Sequence, residues 1–398
     1  MKNLNQKLYL EIDNSNFTFF VVEDNNQSDF KISYKFKTPL IGLANDGIFD
    51  LEKIFSSIKE NILIIEKKFN HTFKELVLIL ENFDPTFINL SGYKKLNGSQ
   101  VLRENITYIL NTLKSCVDKT ENKKTIIHIF NSKFFLDNKK IDNLPIGLFG
   151  DFYSHELSFV LMNKNEHKNI NHVFSKCNLN IKKILIKSFV EGAYLSNNHK
   201  NIETFFHIKM NDNHSKISYF ENHALKFEQN FRFGTEIIIN DISKITSLKK
   251  KDVKSILENT KLNQDMGDNE LIEKEFFKDN IYKKIKKKLI YEIIFARIKE
   301  LTEIILFENK NFSYYNNFTK LIFFELKDDL KKQSFSEFFK IAFSSSDNSQ
   351  IKFVEDLSDE HLLKTATELV HFGWKKEAIP ITLTKKSLIA RFFRAIFG

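Results

Sequence analysis

The chain is poor in the residues that most often build a chemical site. Its 398 residues include only 11 glycines, 4 prolines, 2 cysteines and 1 tryptophan. Two cysteines, Cys116 and Cys177, rule out a disulfide framework or a thiolate metal cluster and point to a reducing compartment. No apolar run approaches the roughly eighteen residues of a spanning helix, and Met1 to Lys7 lacks the apolar core of a signal peptide. No two glycines lie within two positions of each other, so a glycine-rich phosphate cradle of the usual kind is missing. The histidines, His128, His155, His167, His172, His199, His207, His214 and His223 among them, show no tight metal-ligand spacing, and no catalytic constellation emerges.

What is present is a globular composition. Apolar residues make up 42%, enough for two or three domains with substantial cores. The 42 phenylalanines and the lysine excess read as compositional drift, so single aromatics and lysines are discounted as signals. A net charge of +9 suits nucleic acid, a membrane surface or an acidic partner. No nucleic-acid recognition motif accompanies it, and nucleic acid is not expected as a partner.

Hydrophobic periodicity predicts an α/β opening: strands at 7–12 and 17–22 around the turn Asp13-Asn14-Ser15-Asn16, a strand at 31–36, a helix N-capped by Asp50, and a buried strand at 75–80. Residues 86–161 read as a separate small unit, with strands at 86–90, 125–130, near Phe134 and at 155–162, and a helix at 99–116. A helix at 166–177 and a strand at 182–188 follow. The next region predicts strands at 204–209, 216–221 and 225–232, then helices at 234–245, 249–259 and, as one long element, 276–307. A strand at 320–326 and helices at 334–343 and 358–372 close the globular part.

The final stretch, Ser387 to Gly398, is amphipathic. Leu388, Ile389, Phe392, Phe393, Ile396 and Phe397 share one broad helical face, while Ser387, Arg391 and Arg394 fall on the other. The residues leave two readings open, a terminal helix packed on its own domain and a helix lying in an anionic membrane surface.

The order of these elements, with particular residues, resembles FtsA, the bacterial cell-division family related to actin. Leu144-Pro145-Ile146-Gly147-Leu148-Phe149-Gly150 is similar to the family's Pro-(Ile/Val)-Gly-(Leu/Met)-x-Gly loop, and Lys176-Cys177-Asn178-Leu179 to the end of its following helix. Ser188-Phe189-Val190-Glu191-Gly192-Ala193 is similar to its strand running into a small-residue turn. Gly234 to Ser243 looks like its Gly-Gly-x-x-Ile-Thr-x-Asp-Ile-Ala, Ala296 to Leu301 its Arg-x-x-Glu helix, and Thr365-Ala366 with His371-Phe372-Gly373 its late Thr-Ala…Tyr-Gly helix. The resemblance implies an actin-like (ribonuclease H-like) two-domain fold with a small inserted α+β subdomain. By that layout, 1–83 and 164–200 belong to the first domain, 84–163 is the insert, and 201–345 is the second domain with a helical part at about 234–309. A closing helix at 346–374, a linker at 375–386 and a membrane-targeting helix at 387–398 complete it. It further implies an adaptor on the cytoplasmic face of the inner membrane at the division site, which tethers the C-terminal tail of FtsZ, self-associates, and meets other division proteins through the insert.

An ATPase of this family needs two glycine-containing hairpins and a Gly-Gly turn. Here Glu11-Ile12-Asp13-Asn14 stands for (Asp/Glu)-Ile-Gly-(Ser/Thr), and Lys209-Met210-Asn211-Asp212-Asn213-His214 for Asp-Ile-Gly-Gly-Gly-Thr. The Thr-Gly-Gly expected near Phe323-Phe324-Glu325-Leu326-Lys327-Asp328 is missing as well. The expectation is an adaptor without ATP hydrolysis and without a cofactor; the alternative is an ATP-binding polymer in which Lys209 and asparagine side chains replace the lost magnesium and amide contacts. Arg297 and Glu300, one turn apart, read by default as a surface ion pair. The resemblance makes them, with Asp241, candidates for holding the FtsZ tail, toward which the lysines at 283–288 would steer an acidic peptide.

Overall fold

The computed structural model describes residues 6–378 apart from 14, 26–28, 41–42, 45–46, 49, 82–83, 200, 264–265, 278–281, 316–319, 328 and 345–348. Asn14 and the amphipathic stretch 387–398 therefore lie outside the described residues. The chain divides into two compact units, Met1–Ile184 with Glu368–Gly398, and Leu185–Thr367.

The first unit opens with β1 (Gln6–Ile12), β2 (Asn16–Asn25) and β3 (Asp29–Pro39), a meander in which β1 and β2 are buried over consecutive residues and only β3 alternates in apolar and polar character. A two-residue ladder, β4 (Leu43–Ala44) with β5 (Gly47–Ile48), leads to α1 (Leu51–Phe69) and β6 (Glu75–Leu80). Helix α1 starts where expected: the Asp50 carboxylate accepts from Lys53 N at 3.1 Å, and Asn70 ends it in the left-handed conformation. Its buried stripe is Ile54, Ile58, Ile62 and Ile65. The inserted unit follows as β7 (Thr86–Lys95), α2 (Arg103–Thr120), β8 (Lys124–Leu136), β9 (Lys139–Ile141) and β10 (Phe152–Asn163). Then α3 (Lys164–Lys176) returns to β11 (Asn180–Ile186), which joins the first sheet in the order β11-β6-β1-β2-β3. The inserted strands make their own antiparallel sheet, ordered β7-β10-β8-β9.

The second unit begins with α4 (Lys187–Asn198), then β12 (Phe205–Met210), β13 (Ser215–Glu221) and β14 (Ala224–Phe231). Helices α5 (Glu236–Thr246), α6 (Lys250–Asn259) and α7 (Lys287–Thr302) precede β15 (Lys320–Leu326), α8 (Asp329–Ser344), β16 (Ser349–Val354) and α9 (Asp359–His371). Its sheet runs β14-β13-β12-β15-β16, an antiparallel hairpin plus third strand continued by two parallel strands. That order repeats the one in the first sheet. The core of this unit packs Ile208, Ile217, Ile238, Ile242, Ile294, Ile298 and Phe324 between sheet and helices.

Four sequence expectations are corrected. The helix expected at 276–307 starts only at Lys287, because Ile272 N donates to Ile285 O and Lys287 N to Glu270 O, which ties 285–287 into a β-like pairing. Ser188 to Ala193 is not a strand end and turn but the first half of α4, apolar enough to be buried along its length. Strand β8 runs through Phe134 without a break and carries register shifts against β10. Strand β16 was not expected at all; its exposed alternation of Gln350 and Lys352 gives a weak apolar signal typical of an edge.

Candidate functional site

Each sheet presents a hairpin turn where the resemblance sets a phosphate loop, and each turn is closed by its own first polar side chain. Between β1 and β2, Asp13 Oδ1 accepts from Ser15 N at 2.6 Å and Asn16 N at 2.7 Å. Lys37 Nζ lies 3.6 Å from the same carboxylate. Between β12 and β13, Asn211 Oδ1 accepts from Asn213 N at 3.0 Å and His214 N at 2.7 Å. These are Asx turns, which asparagine and aspartate form where glycine would leave the amides pointing outward.

The second turn is also committed on its other side. Its carbonyls Asn211 O and Asp212 O accept from Thr235 N and Glu236 N, both at 2.9 Å, so they cap the start of α5. Gly234 permits that approach: a Cβ there would sit 2.0 Å from Asn211 O.

Lys209, near the end of β12, is the charged centre of this unit. Its ammonium lies 2.6 Å from Glu191 on α4 and 3.4 Å from Glu325 on β15. His207, two residues earlier on the same face of β12, lies 3.9 Å from Glu191 and 3.6 Å from Glu325. Both glutamates and His207 are 3% exposed, so these charges are compensated inside the protein and not by water. Burial pushes the Glu325 carboxyl up, but Lys209 and then His207 outweigh it and hold the group well below the usual carboxylate range. The cluster floors a cavity of about 400 Å³ whose wall includes Tyr194, His199, Asp356 and His361. Burial, followed by the Glu325 charge, raises the Asp356 carboxyl.

These residues do not match the needs of a magnesium-bound polyphosphate. A carboxylate at Asp13 meets any anion with repulsion, the amides of Ser15, Asn16, Asn213 and His214 already have acceptors, and Lys209 is a cation where the metal-side carboxylate belongs. Of the expected site residues, Glu11 is buried in β1 and Asp212 contributes its carbonyl to the α5 cap. Sequence reasoning missed Glu191; the available signal was a single carboxylate within the otherwise uncharged, largely apolar stretch Phe189–Leu195.

The helical side of the second unit brings Asp241, Arg297 and Glu300 together. Arg297 Nε donates to Asp241, and its Nη1 donates to Glu300 at 2.6 Å. The guanidinium is thus shared by two carboxylates of its own chain. Beside this pair of helices, α5 and α7, an open groove of about 620 Å³ is lined by Ile245, Leu289, Lys284, Lys286 and Lys288. Ile245 is 60% exposed. Lys288 pairs with Asp268, whereas Lys284 has no ion-pair partner among the described residues.

Two sheets of the same strand order, one of them interrupted by a small α+β unit, define the class: the chain has the actin-like fold. No family model and no curated protein matches the sequence. Among solved structures, the PilM-PilN type IV pilus biogenesis complex contains a chain 10% identical, with a TM-score of 0.52 over 92% of this chain and 98% of that one. MreB5 of Spiroplasma citri bound to ADP is also 10% identical, with a TM-score of 0.42 over 91% of this chain and 96% of that one. The ethanolamine utilization protein EutJ from Carboxydothermus hydrogenoformans is 9% identical, with a TM-score of 0.40 over 92% and 90%.

Proposed function

We propose that this chain is an actin-like adaptor of the FtsA kind, which tethers FtsZ to the cytoplasmic membrane at the division site without binding or hydrolysing ATP. The observation that carries the reading is the internal closure of both phosphate turns, together with the neutralisation of Lys209 by Glu191 and Glu325. An actin-like body without nucleotide chemistry retains its surfaces, and the work left to it is holding partners.

For the FtsZ tail, an acidic and apolar peptide, the groove along α5 and α7 is the proposed seat. Ile245 and Leu289 supply apolar contact, and Lys284 and Lys286 supply the complementary charge. Asp241, Arg297 and Glu300 form the neighbouring edge, where the shared guanidinium orients the helices and contributes to partner binding. For the membrane, the amphipathic residues 388–397 are the proposed anchor. One short helix binds reversibly, so firm attachment requires several copies held together, through self-association or an FtsZ filament.

Co-sedimentation with anionic vesicles tests this reading. Full-length protein should carry FtsZ into the pellet, and a chain ending at Thr384 should carry much less of it. Equal recruitment by the two chains would overturn the adaptor reading.

A further inference from the structure

The inserted sheet leaves part of one face open: toward its other end the same face is buried at His128, Phe130, Ser158 and Val160. Along β7, Ile88, Leu90 and Gly92 face α2, and a Cβ on Gly92 would lie 2.6 Å from Ile109. The alternate residues Asn89, Ser91, Tyr93 and Lys95 are exposed on the opposite face. Register extends this face across the sheet: Lys95 pairs with Phe152, Tyr93 with Ser154, and Ser154 with Phe135, which in turn pairs with Lys140. Tyr93 is 72% exposed and Phe152 46%. Lys133 belongs to the same face, opposite Glu156, whose carboxylate is 3.9 Å away. The open part therefore carries three aromatic rings, three lysines and the Glu156 carboxylate, with the Asp137 carboxylate beside it accepting from Phe152 N at 2.8 Å.

A second observation concerns where the chain goes next. Residues 376–378 lie along the edge of β8 as an added strand: Asn131 N donates to Lys376 O at 2.6 Å and Ala378 N to Ile129 O at 2.7 Å. Glu377 locks that pairing through His128 at 3.1 Å and Lys183 at 2.7 Å. The chain that leads to the amphipathic stretch is thus fastened to the same sheet that carries the open face. From Ala378, the span to Ser387 reaches at most about 30 Å.

We propose that this face, centred on Tyr93, Phe135 and Phe152 with Lys95, Lys133 and Lys140, is a second contact with an anionic lipid surface. The inference rests on the membrane-adaptor reading. Aromatic rings and lysines together suit the head-group region of a bilayer, where rings sit at the interface and ammonium groups meet anionic lipids. Single-stranded nucleic acid also stacks on aromatic sheets, but the fastening of 376–378 favours the bilayer. A tail anchored within reach gives the face a high effective concentration of lipid and of nothing else.

The test crosses two chains, full-length and ending at Thr384, with three sequences: parent, Tyr93→Ser/Phe152→Ser, and Lys95→Gln. Binding is measured to vesicles of phosphatidylethanolamine with phosphatidylglycerol, to vesicles of phosphatidylcholine alone, and to a labelled single-stranded oligonucleotide. Unchanged thermal melts establish that the exposed-face variants fold. The shortened parent should retain weak binding to the anionic vesicles only. Loss of one lysine charge should weaken that binding about fivefold, and loss of both rings should abolish it; the same order should hold in the full-length chain. Face variants that bind as their parents do, or a loss confined to the oligonucleotide, would overturn the proposal. Failure of the adaptor reading has a different signature, namely vesicle binding by the parent that does not depend on the tail.

Discussion

The two hairpin turns have reached the same condition by different routes. At Asp13 the change is local: one carboxylate accepts the turn amides, and Lys37 at its side balances the charge. At Asn211 the turn itself is neutral, and the charge has moved down the strand to Lys209, where two buried glutamates from α4 and β15 enclose it. The first turn stands as an isolated substitution. The second is part of a packed unit, since its carbonyls cap α5 and its strand lysine holds three elements together. One turn therefore engages one residue's hydrogen bonds, and the other is backed by a buried ion network.

That contrast sets the order of expected effects. Lys209→Ala leaves Glu191 and Glu325 buried without their cation and should destabilise the second unit by about 3–5 kcal/mol, read as the loss in a denaturant melt at neutral pH. The pH dependence has a definite sign. Lys209 and His207 hold Glu325 below its unfolded value, so its stabilisation is present above the ordinary value of 4.5 and is lost as pH falls from there toward about 2. In Lys209→Ala only His207 is left to oppose burial, so the Glu325 carboxyl rises and the deficit should shrink as pH falls toward 4.5. A deficit that does not change with pH would mean that packing of the lysine stem, and not its charge, carries the effect.

Asp13→Ala should be milder. It removes the acceptor for two turn amides and should cost about 1 kcal/mol. A cost as large as that of Lys209→Ala would erase the distinction between the two turns.

The sequence made the scarcity of glycine in the two hairpin turns legible, because glycine is read directly from the residues. The actin-like architecture followed from the order of the elements and is borne out by two sheets of matching topology. The ion cluster around Lys209 was not legible. Glu191, Lys209 and Glu325 are separated in sequence and meet only because α4, β12 and β15 pack together. Glu191 was concealed further by the reading of Ser188 to Ala193 as a turn. Likewise, the lysines at 283–288 read as part of one long helix, whereas the paired backbone at Ile285 and Lys287 sends some into a groove and others into ion pairs. Period alone could not separate these fates, because they depend on a distant strand partner.

The central claim is that both phosphate turns are filled from within. Titration calorimetry of the full-length protein with ATP and magnesium tests it most directly. The account predicts no binding heat in the micromolar range, for the parent and for Lys209→Ala alike. Micromolar binding by the parent that is lost in Lys209→Ala would contradict it, because Lys209 would then be serving a nucleotide and not its own two glutamates.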